Sequence, residues 1–406
     1  MFDQCLLYLH PDPCHILQDV AKMTTEFKTS DACLEGILMH EEPFESVSID
    51  SNRQQDQSEN REMDILSIYD ALREILVDHS QNASVQLQHQ LKRGSFSRKR
   101  LIFEAMSSLM IPLAINQFGH FLVNRAIGYC ADTAQHLSGA FVLLALSPVG
   151  VHVVSHVLDG PEVWKIQVVR ELLQESLLIT LTTQHSQCLW HKILQMRWTD
   201  PSMPLEIRES IHDALRGRWA SFANTETGST LCQHLYDSKI LCDMDDGMQE
   251  LLQELVGCVC DPWGVWVIQH LLEHGSVSIR EYIAQCFIVS AATVSLSSYG
   301  SKAVQCALRY CGESFQNQYA DVLCRVVRAG HDNVRSGGAR RPLLVDVAAT
   351  QHGLPILSLL LTTILRAKRT HLVDIIRVNA SYLRRNRSGT RVVQLCGMYA
   401  PRKIKR

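Results

Sequence analysis

The 406-residue sequence is 46% hydrophobic and only 20% charged, so it can bury a large core and does not have the composition of a disordered protein. Its net charge of −3 is unevenly distributed, because residues 1–64 carry −10 and the rest carries +7. The 14 cysteines include no Cys-x-x-Cys pair, which excludes the usual zinc ribbon, and the sequence has neither a long apolar run nor a signal-peptide pattern.

Residues 1–63 are predicted to form a segment separate from the rest of the chain. Its first part, to about Met39, bears apolar residues, whereas residues 41–63 are dominated by Glu, Ser, Gln, Asn and Asp and are expected to be disordered. From Asp64 onward, apolar patterns of helical spacing alternate with short breaks, which predicts one domain over residues 64–406. Within it, a polar run at about 330–342, with two adjacent glycines and three arginines, is predicted to be an inserted flexible loop.

One pattern recurs along residues 64–406. A glycine is followed by two variable residues, an apolar pair, a polar residue at the fifth position and another apolar pair, as in Gly264 to Leu272. The copies have the glycine or its substitute at residues 81, 119, 150, 186, 228, 264, 300, 353 and 389. The commonest spacing is 36 residues, which is typical of a helical solenoid and leaves room for about three short helices. We therefore predict an all-α protein without β-sheet.

Positions in each copy are numbered here from its glycine. The apolar residues at Gly+3, Gly+4, Gly+7 and Gly+8 are predicted to face the core, and Gly+1, Gly+2 and Gly+5 are predicted to form a ladder of exposed side chains.

His270 and His274 also fit the His-x-x-Glu-His pattern of a class of zinc proteases. Because the position of His270 recurs as Arg125, His156, Lys192, His234 and Cys306, the repeat explains it without a metal. We expect no enzymatic activity, no metal and no cofactor.

The segment from Asp261 to Leu272, Asp-Pro-Trp-Gly-Val-Trp-Val-Ile-Gln-His-Leu-Leu, resembles the PUF (Pumilio homology) repeat of RNA-binding proteins. The resemblance covers about residues 64–406. It implies an α-solenoid crescent of eight three-helix repeats followed by a C-terminal capping repeat at Gly389, with an insertion before the last base-reading repeat. It also implies that each repeat reads one base of single-stranded RNA, with two side chains on the base edge and a third stacking between bases.

The resemblance assigns the base-edge pairs to Gly+1 and Gly+5, namely Asn82 and Gln86, His120 and Asn124, Val151 and Ser155, Gln187 and His191, Ser229 and Gln233, Val265 and Gln269, Ser301 and Gln305, and Leu354 and Ser358. It assigns the stacking side chains to Gly+2, namely Ala83, Phe121, His152, Cys188, Thr230, Trp266, Lys302 and Pro355.

In the PUF family, Asn with Gln suits uracil, Ser or Cys with Gln suits adenine, and Ser with Glu suits guanine. The resemblance thus implies uracil at Asn82/Gln86, and adenine at Ser229/Gln233 and Ser301/Gln305. No repeat has Glu at Gly+5, and the last three base-reading repeats lack the pairs that would read the family's usual UGU element.

The function that the resemblance implies is sequence-selective binding of single-stranded RNA. It suggests a cytoplasmic monomer that binds 3′ untranslated regions of messenger RNA, recruits protein effectors and regulates translation or decay, with no membrane association. The basic repeat region, with 12 basic residues and one acidic residue in 366–406, suits a partner that carries phosphates. The apolar side chains Val151, Val265, Leu354 and Pro355 favour an alternative. In it the chain is a degenerate solenoid that acts as a protein scaffold or as a shape-dependent RNA binder in ribosome assembly, in the nucleus or nucleolus.

Overall fold

A computed structural model of the chain describes residues 51–174, 176–325 and 341–399, with only the backbone described for residues 51–62 and 64. The chain divides into two compact units, Met1–Met203 and Pro204–Arg406. Over the described residues both units are built from helices, and no β-strand occurs there. None of the helices in these ranges combines the length and the apolar character needed to cross a membrane.

In unit 1 the helices follow one another in groups of three, and the middle helix of each group carries the repeated pattern; we call it the central helix. The first two groups are Ser51–Leu76, Gln81–Arg93 and Phe96–Ser107, then Met110–Ile115, Gly119–Tyr129 and the 3₁₀ helix Ala131–Leu137. The next two are Phe141–Leu146, Gly150–Val157 and Glu162–Leu172, then Leu177–Thr182, Gln187–Gln195 and Ser202–Leu215, in which the division between the units lies.

Unit 2 continues the same order of helices. Its groups are Trp219–Ala223, Glu226–Asp237 and Asp246–Gln253; Leu255–Cys260, Gly264–His274 and Val277–Val289; Ala291–Leu296, Gly300–Tyr310 and Gly312–Cys324; and Leu343–Ala349, Gly353–Thr363 and Arg366–Val378. A final pair, Ala380–Leu383 and Arg387–Tyr399, follows. In the described part of the chain the helices are thus compatible with eight three-helix repeats and a capping repeat.

The core follows the apolar stripe of each central helix. In Gly264–His274, for example, Val267, Ile268, Leu271 and Leu272 are buried, at Gly+3, Gly+4, Gly+7 and Gly+8 as predicted. These side chains fill the space between the central helix and the first and third helices of the repeat. Burying one such aliphatic side chain stabilises the fold by about 1.5 to 3 kcal/mol.

The start of a central helix explains why the pattern contains glycine. The side chain three residues earlier caps the helix, since Oδ1 of Asn116 accepts a hydrogen bond from the N–H of Gly119 and Oδ1 of Asp261 accepts one from Gly264, both at 2.9 Å. A Cβ atom at Gly119 or Gly264 would lie only 2.6 or 2.7 Å from the carbonyl oxygen six residues earlier. Glycine is needed because the first helix of the repeat approaches so closely.

The N-terminal boundary differs from the prediction. Residues 51–63, expected to be disordered, are part of the helix Ser51–Leu76, and the predicted start of the domain at residue 64 lies within that helix. The apolar residues that anchor it, Ile68, Leu72 and Ile75, are fully buried, and extending a helix from such an anchored part costs little. Residues 1–50, and all but the last two residues of the loop predicted at 330–342, lie outside the described residues.

Candidate nucleic-acid interface

Within each unit, the central helix of one repeat packs against the central helix of the next. Equivalent positions of successive repeats therefore form rows. In unit 1 the rows run over Gln81–Arg93, Gly119–Tyr129, Gly150–Val157 and Gln187–Gln195. In unit 2 they run over Glu226–Asp237, Gly264–His274, Gly300–Tyr310, Gly353–Thr363 and Arg387–Tyr399.

The predicted stacking side chains at Gly+2 reach solvent in both units. Phe121 in unit 1 is 51% exposed and Trp266 in unit 2 is 49% exposed, so about half of each ring is accessible to a ligand. Nζ of Lys302, the next Gly+2 side chain, lies 6.0 Å from the centre of the Trp266 ring. Of the other predicted Gly+2 residues, Ala83 is buried, and the rest are exposed or half-buried, namely His152, Cys188, Thr230 and Pro355. The Phe121 and Trp266 rings thus offer flat surfaces on which bases can stack.

The side chains at Gly+1 are not part of an exposed ladder, contrary to the prediction. His120, Val151, Ser229, Val265 and Ser301 are all buried, and Gln187 and Leu354 are half-buried. The reason is the packing between repeats: the hydroxyl of Ser229 donates a 2.8 Å hydrogen bond to the carbonyl oxygen of Trp263, the residue before the glycine of the next repeat. A face that is open on an isolated helix is covered when the next repeat stacks on it.

The side chains at Gly+5 are half-buried in most repeats, namely Asn124, Ser155, His191, Gln233, Gln269 and Gln305, while Ser358 is exposed. In unit 2 the glutamine amides are held by their own helix, because Nε2 of Gln233 donates to the carbonyl oxygen of Ser229 and Nε2 of Gln305 donates to that of Ser301, both at 3.1 Å. The second N–H and the amide oxygen of each stay available. A glutamine held in this way presents a fixed donor and acceptor to a ligand.

In the first repeat the structure corrects the predicted residues. Ala83 is buried and Asn82 and Gln86 lie on the exposed side of their helix, so Ala83 does not stack and this pair does not occupy the row. Instead the hydroxyl of Ser84 donates to the carbonyl oxygen of Phe118 at 2.7 Å, and Nε2 of Gln88 donates to the Ser84 hydroxyl at 3.0 Å. Ala83 therefore takes the place of the glycine, and the pair of this repeat is Ser84 and Gln88.

Two further observations support the corrected assignment. The Ser80 hydroxyl accepts a hydrogen bond from the N–H of Ala83 at 3.2 Å, as the Thr225 hydroxyl does from Gly228 at 3.0 Å. Counting from Ala83 also makes the spacing to Gly119 equal to the commonest value, 36 residues. The sequence held both signals, but alanine in place of glycine hid them.

His120, the Gly+1 residue of the second repeat, is buried next to the exposed ring of Phe121, with 3.8 Å between the ring centres. Burial lowers the pKa of His120 below its usual value, and the nearby His152 ring, 6.0 Å away, acts in the same direction. The Nδ1 atom lies 3.2 Å from the carbonyl oxygen of Asn116, so a neutral ring donates from Nδ1 and keeps Nε2 as an acceptor.

The residues of the protease-like pattern have another role. Nε2 of His270 lies 2.8 Å from Oδ1 of Asp237 in the preceding repeat, so the ring joins two central helices. The His274 ring is 4.7 Å from the His270 ring, but across the described ranges no three His, Cys, Asp or Glu side chains come close enough together to hold a metal ion.

A family model described as a Pumilio-family RNA binding repeat matches residues 110–136, 256–285 and 291–324 of the chain. "Meiotic PUF family protein 1" of Schizosaccharomyces pombe is 26% identical over 362 residues, which are 87% of this chain and 59% of that protein. "Meiotic coiled-coil protein 2" of the same organism is 29% identical over 191 residues, 45% of this chain and 26% of that protein. The chain thus spans less than two thirds of the length of either relative.

Among solved structures, the complex of PUF-8 with PBE-RNA matches with a TM-score of 0.62 at 15% identity, over 81% of this chain and 94% of that one. The Puf4 RNA binding domain bound to the HO endonuclease RNA 3′ UTR recognition sequence matches with a TM-score of 0.59 at 17% identity, over 78% and 96% of the two chains. At such identities the similarity establishes the fold alone.

Proposed function

We propose that this chain is a divergent member of the PUF family of RNA-binding repeat proteins and that it binds single-stranded RNA in a sequence-selective way along the rows of its central helices. One observation carries the proposal: the two large Gly+2 rings, Phe121 and Trp266, stay half exposed beside partly exposed amide side chains at Gly+5. Flat rings and amide side chains are two components of single-stranded RNA recognition, since rings stack on base faces and amides read base edges.

The amide pairs point to adenine in three repeats. Ser84 with Gln88, Ser229 with Gln233, and Ser301 with Gln305 are the combination that suits adenine in the PUF family. The chemistry agrees, because an amide both donates and accepts hydrogen bonds and so complements an adenine edge, which offers one donor and one acceptor. Without Glu at Gly+5 no repeat has the carboxylate that suits guanine, so we do not expect the UGU element to be read.

The cellular role that we propose is regulation of messenger RNA translation or decay in the cytoplasm, through elements in 3′ untranslated regions and with protein effectors. Support comes from the repeat family and from the basic balance of residues 65–406, which carry a net charge of +7. Positive charge strengthens binding to any RNA, whereas the Gly+1 and Gly+5 pairs supply the selectivity.

In-vitro selection of RNA from a random single-stranded pool tests this function, with the wild-type protein and Gln305→Glu selected side by side. We expect a consensus that contains adenines, and a change from adenine to guanine at one position for the variant, because a carboxylate only accepts hydrogen bonds and complements the guanine donors. Gln318→Glu is the matched control, since Gln318 is exposed on the third helix of the same repeat and is outside the rows.

The outcomes separate the alternatives. A consensus that changes at one position for Gln305→Glu and is unchanged for Gln318→Glu supports sequence-selective reading. RNA that is retained without any consensus would favour a shape-dependent binder, and a protein that retains no RNA would favour the scaffold.

A further inference from the structure

Neighbouring central helices are joined by a contact that recurs beyond the base-reading positions. It links the Gly+6 side chain of one repeat to an acidic residue at Gly+9 of the preceding repeat. Lys192 Nζ lies 2.7 Å from Asp159 Oδ1, and His270 Nε2 lies 2.8 Å from Asp237 Oδ1. Cys306 Sγ lies 3.8 Å from a carboxylate oxygen of Glu273. In each of these three junctions, a carboxylate either forms an ion pair with the Gly+6 group or accepts a hydrogen bond from it.

The first two junctions of unit 1 lack this carboxylate. Counting from Ala83, Gly+9 of the first repeat is Lys92, and the Gly+6 residue that should meet it is Arg125. In the next junction Gly+9 is Gly128, and Gly+6 is His156. Over the described residues, neither Lys92, Arg125 nor His156 forms an ion pair. In these two consecutive junctions basic or neutral groups therefore lie at the place where the three junctions above have a carboxylate.

These four residues line one pocket of about 460 Å³, which we call the basic pocket. Its wall also contains Tyr129, half of whose surface is exposed and whose ring has Lys99 Nζ 4.4 Å from its centre. At the Gly128 side, a Cβ atom would be in van der Waals contact with Nε2 of His156, at 3.4 Å. The pocket therefore combines cations, an aromatic ring and free volume, and no acidic residue lines it.

The basic pocket is continuous with the base-reading rows. Its wall also contains Gln88, the Gly+5 residue of the first repeat. Phe121 and Asn124, at Gly+2 and Gly+5 of the second repeat, line it too. The Oδ1 atom of Asn124 is buried and has no hydrogen-bond partner in the described part of the chain. A strand whose bases reach these three side chains necessarily passes the mouth of the pocket.

We infer that the basic pocket binds a phosphate of the RNA backbone, with the attached nucleotide against Tyr129. The inference rests on the proposed function, because it uses the same RNA strand. Lys92 and Arg125 line the same pocket with no acidic residue beside them, so both charges favour an anion there, and a phosphodiester matches the forked donors of an arginine. The ligand thus brings to this junction the negative charge that a carboxylate supplies in three others.

The test uses the full chain and the RNA obtained by in-vitro selection. Lys92→Asp introduces at Gly+9 the acidic residue that three other junctions have and lets it pair with Arg125. We expect RNA affinity to decrease by about tenfold, the size of a lost charge-assisted contact, while the melting temperature is unchanged or higher. Arg93→Asp is the matched control, because it changes the net charge equally at the adjacent residue, which does not line the pocket. Its effect should be about twofold.

A second arm identifies the phosphate. Single uncharged methylphosphonate linkages are placed in turn along the RNA, and the affinity of each RNA is measured for the wild type, Lys92→Asp and Lys92→Gln. One linkage should weaken binding of the wild type and have no effect on either variant. If every linkage affects all three proteins equally, or if Lys92→Asp behaves like Arg93→Asp, the inference is wrong while the proposed function stands. If the wild type retains no RNA, both are wrong.

Discussion

The hydroxyl of Ser84 donates a 2.7 Å hydrogen bond to the carbonyl oxygen of Phe118, as the hydroxyl of Ser229 does to that of Trp263 at 2.8 Å. In both cases the acceptor directly precedes the glycine of the following repeat. The equivalence assigns Ser84 and Gln88, and not Asn82 and Gln86, to the Gly+1 and Gly+5 positions of the first repeat.

We therefore predict that Gln88→Ala weakens binding of the selected RNA, whereas Gln86→Ala does not. A lost neutral hydrogen bond is worth about 0.5 to 1.5 kcal/mol, so affinity for Gln88→Ala should decrease between about twofold and tenfold. Fluorescence polarisation with a labelled RNA measures both variants. The two substitutions are identical and lie on the same helix, so a larger effect of Gln86→Ala would contradict the corrected assignment.

Much of this fold could be predicted from periodicity. The apolar pairs of the pattern, as at Val267 and Ile268, alone define the buried stripe, and the capping residue Asp261 with Gly264 defines where the central helix starts. The sequence could not predict which side chains of one repeat are buried by the repeat that follows it. The burial of Ser229 depends on the neighbouring loop, and neither helical spacing nor composition contains that contact.

Prediction of the candidate site from the sequence was limited in the same way, because contacts between repeats are not visible in the pattern of one repeat. Exposed side chains such as Trp266 follow from the face of a single helix, so the Gly+2 row could be predicted from sequence. The pairing of Asp159 with Lys192 depends on two repeats in the correct register, and an error of two residues in the first repeat hides the place of Lys92. Contacts between repeats become visible only when every repeat has been aligned correctly.

Trp266 provides a test of the stacking row. Its ring is 49% exposed, so truncation removes little packing, whereas base stacking on an aromatic ring is worth about 1 to 3 kcal/mol. We predict that Trp266→Ala weakens RNA binding by about tenfold or more and leaves the circular dichroism spectrum unchanged. Tyr282 is the matched control: it is 47% exposed, lies on the third helix of the same repeat and should tolerate the change to alanine without loss of affinity. Equal losses for both variants would exclude stacking on this ring as the cause.

The contact between Asp237 and His270 indicates that His270 has a structural role, and we predict that it does not bind zinc. Asp237 keeps 54% of its side chain exposed, so the pair should contribute only about 0.5 kcal/mol to stability. Urea unfolding of Asp237→Ala, His270→Ala and the double variant should give a small coupling energy of this size. Elemental analysis of the wild type should find no stoichiometric zinc. One zinc per chain that is lost in the variant with both His270 and His274 replaced would instead support a metal site.

His120 predicts how stability depends on pH. Because burial lowers its pKa in the folded protein below the ordinary 6.5, the unfolded chain takes up the proton more readily. The folded state thus has its full stability above about pH 6.5, and the free energy of unfolding decreases as the pH falls from there through the lower folded pKa. Replacing His120 with Gln removes this titration, so the variant should lose less stability than the wild type between about pH 7 and 5.

Urea unfolding at a series of pH values measures the difference. His136→Gln, which replaces an exposed histidine of the same repeat, is the control and should keep the wild-type slope. Parallel curves for the wild type and His120→Gln would mean that the buried ring does not favour its neutral form.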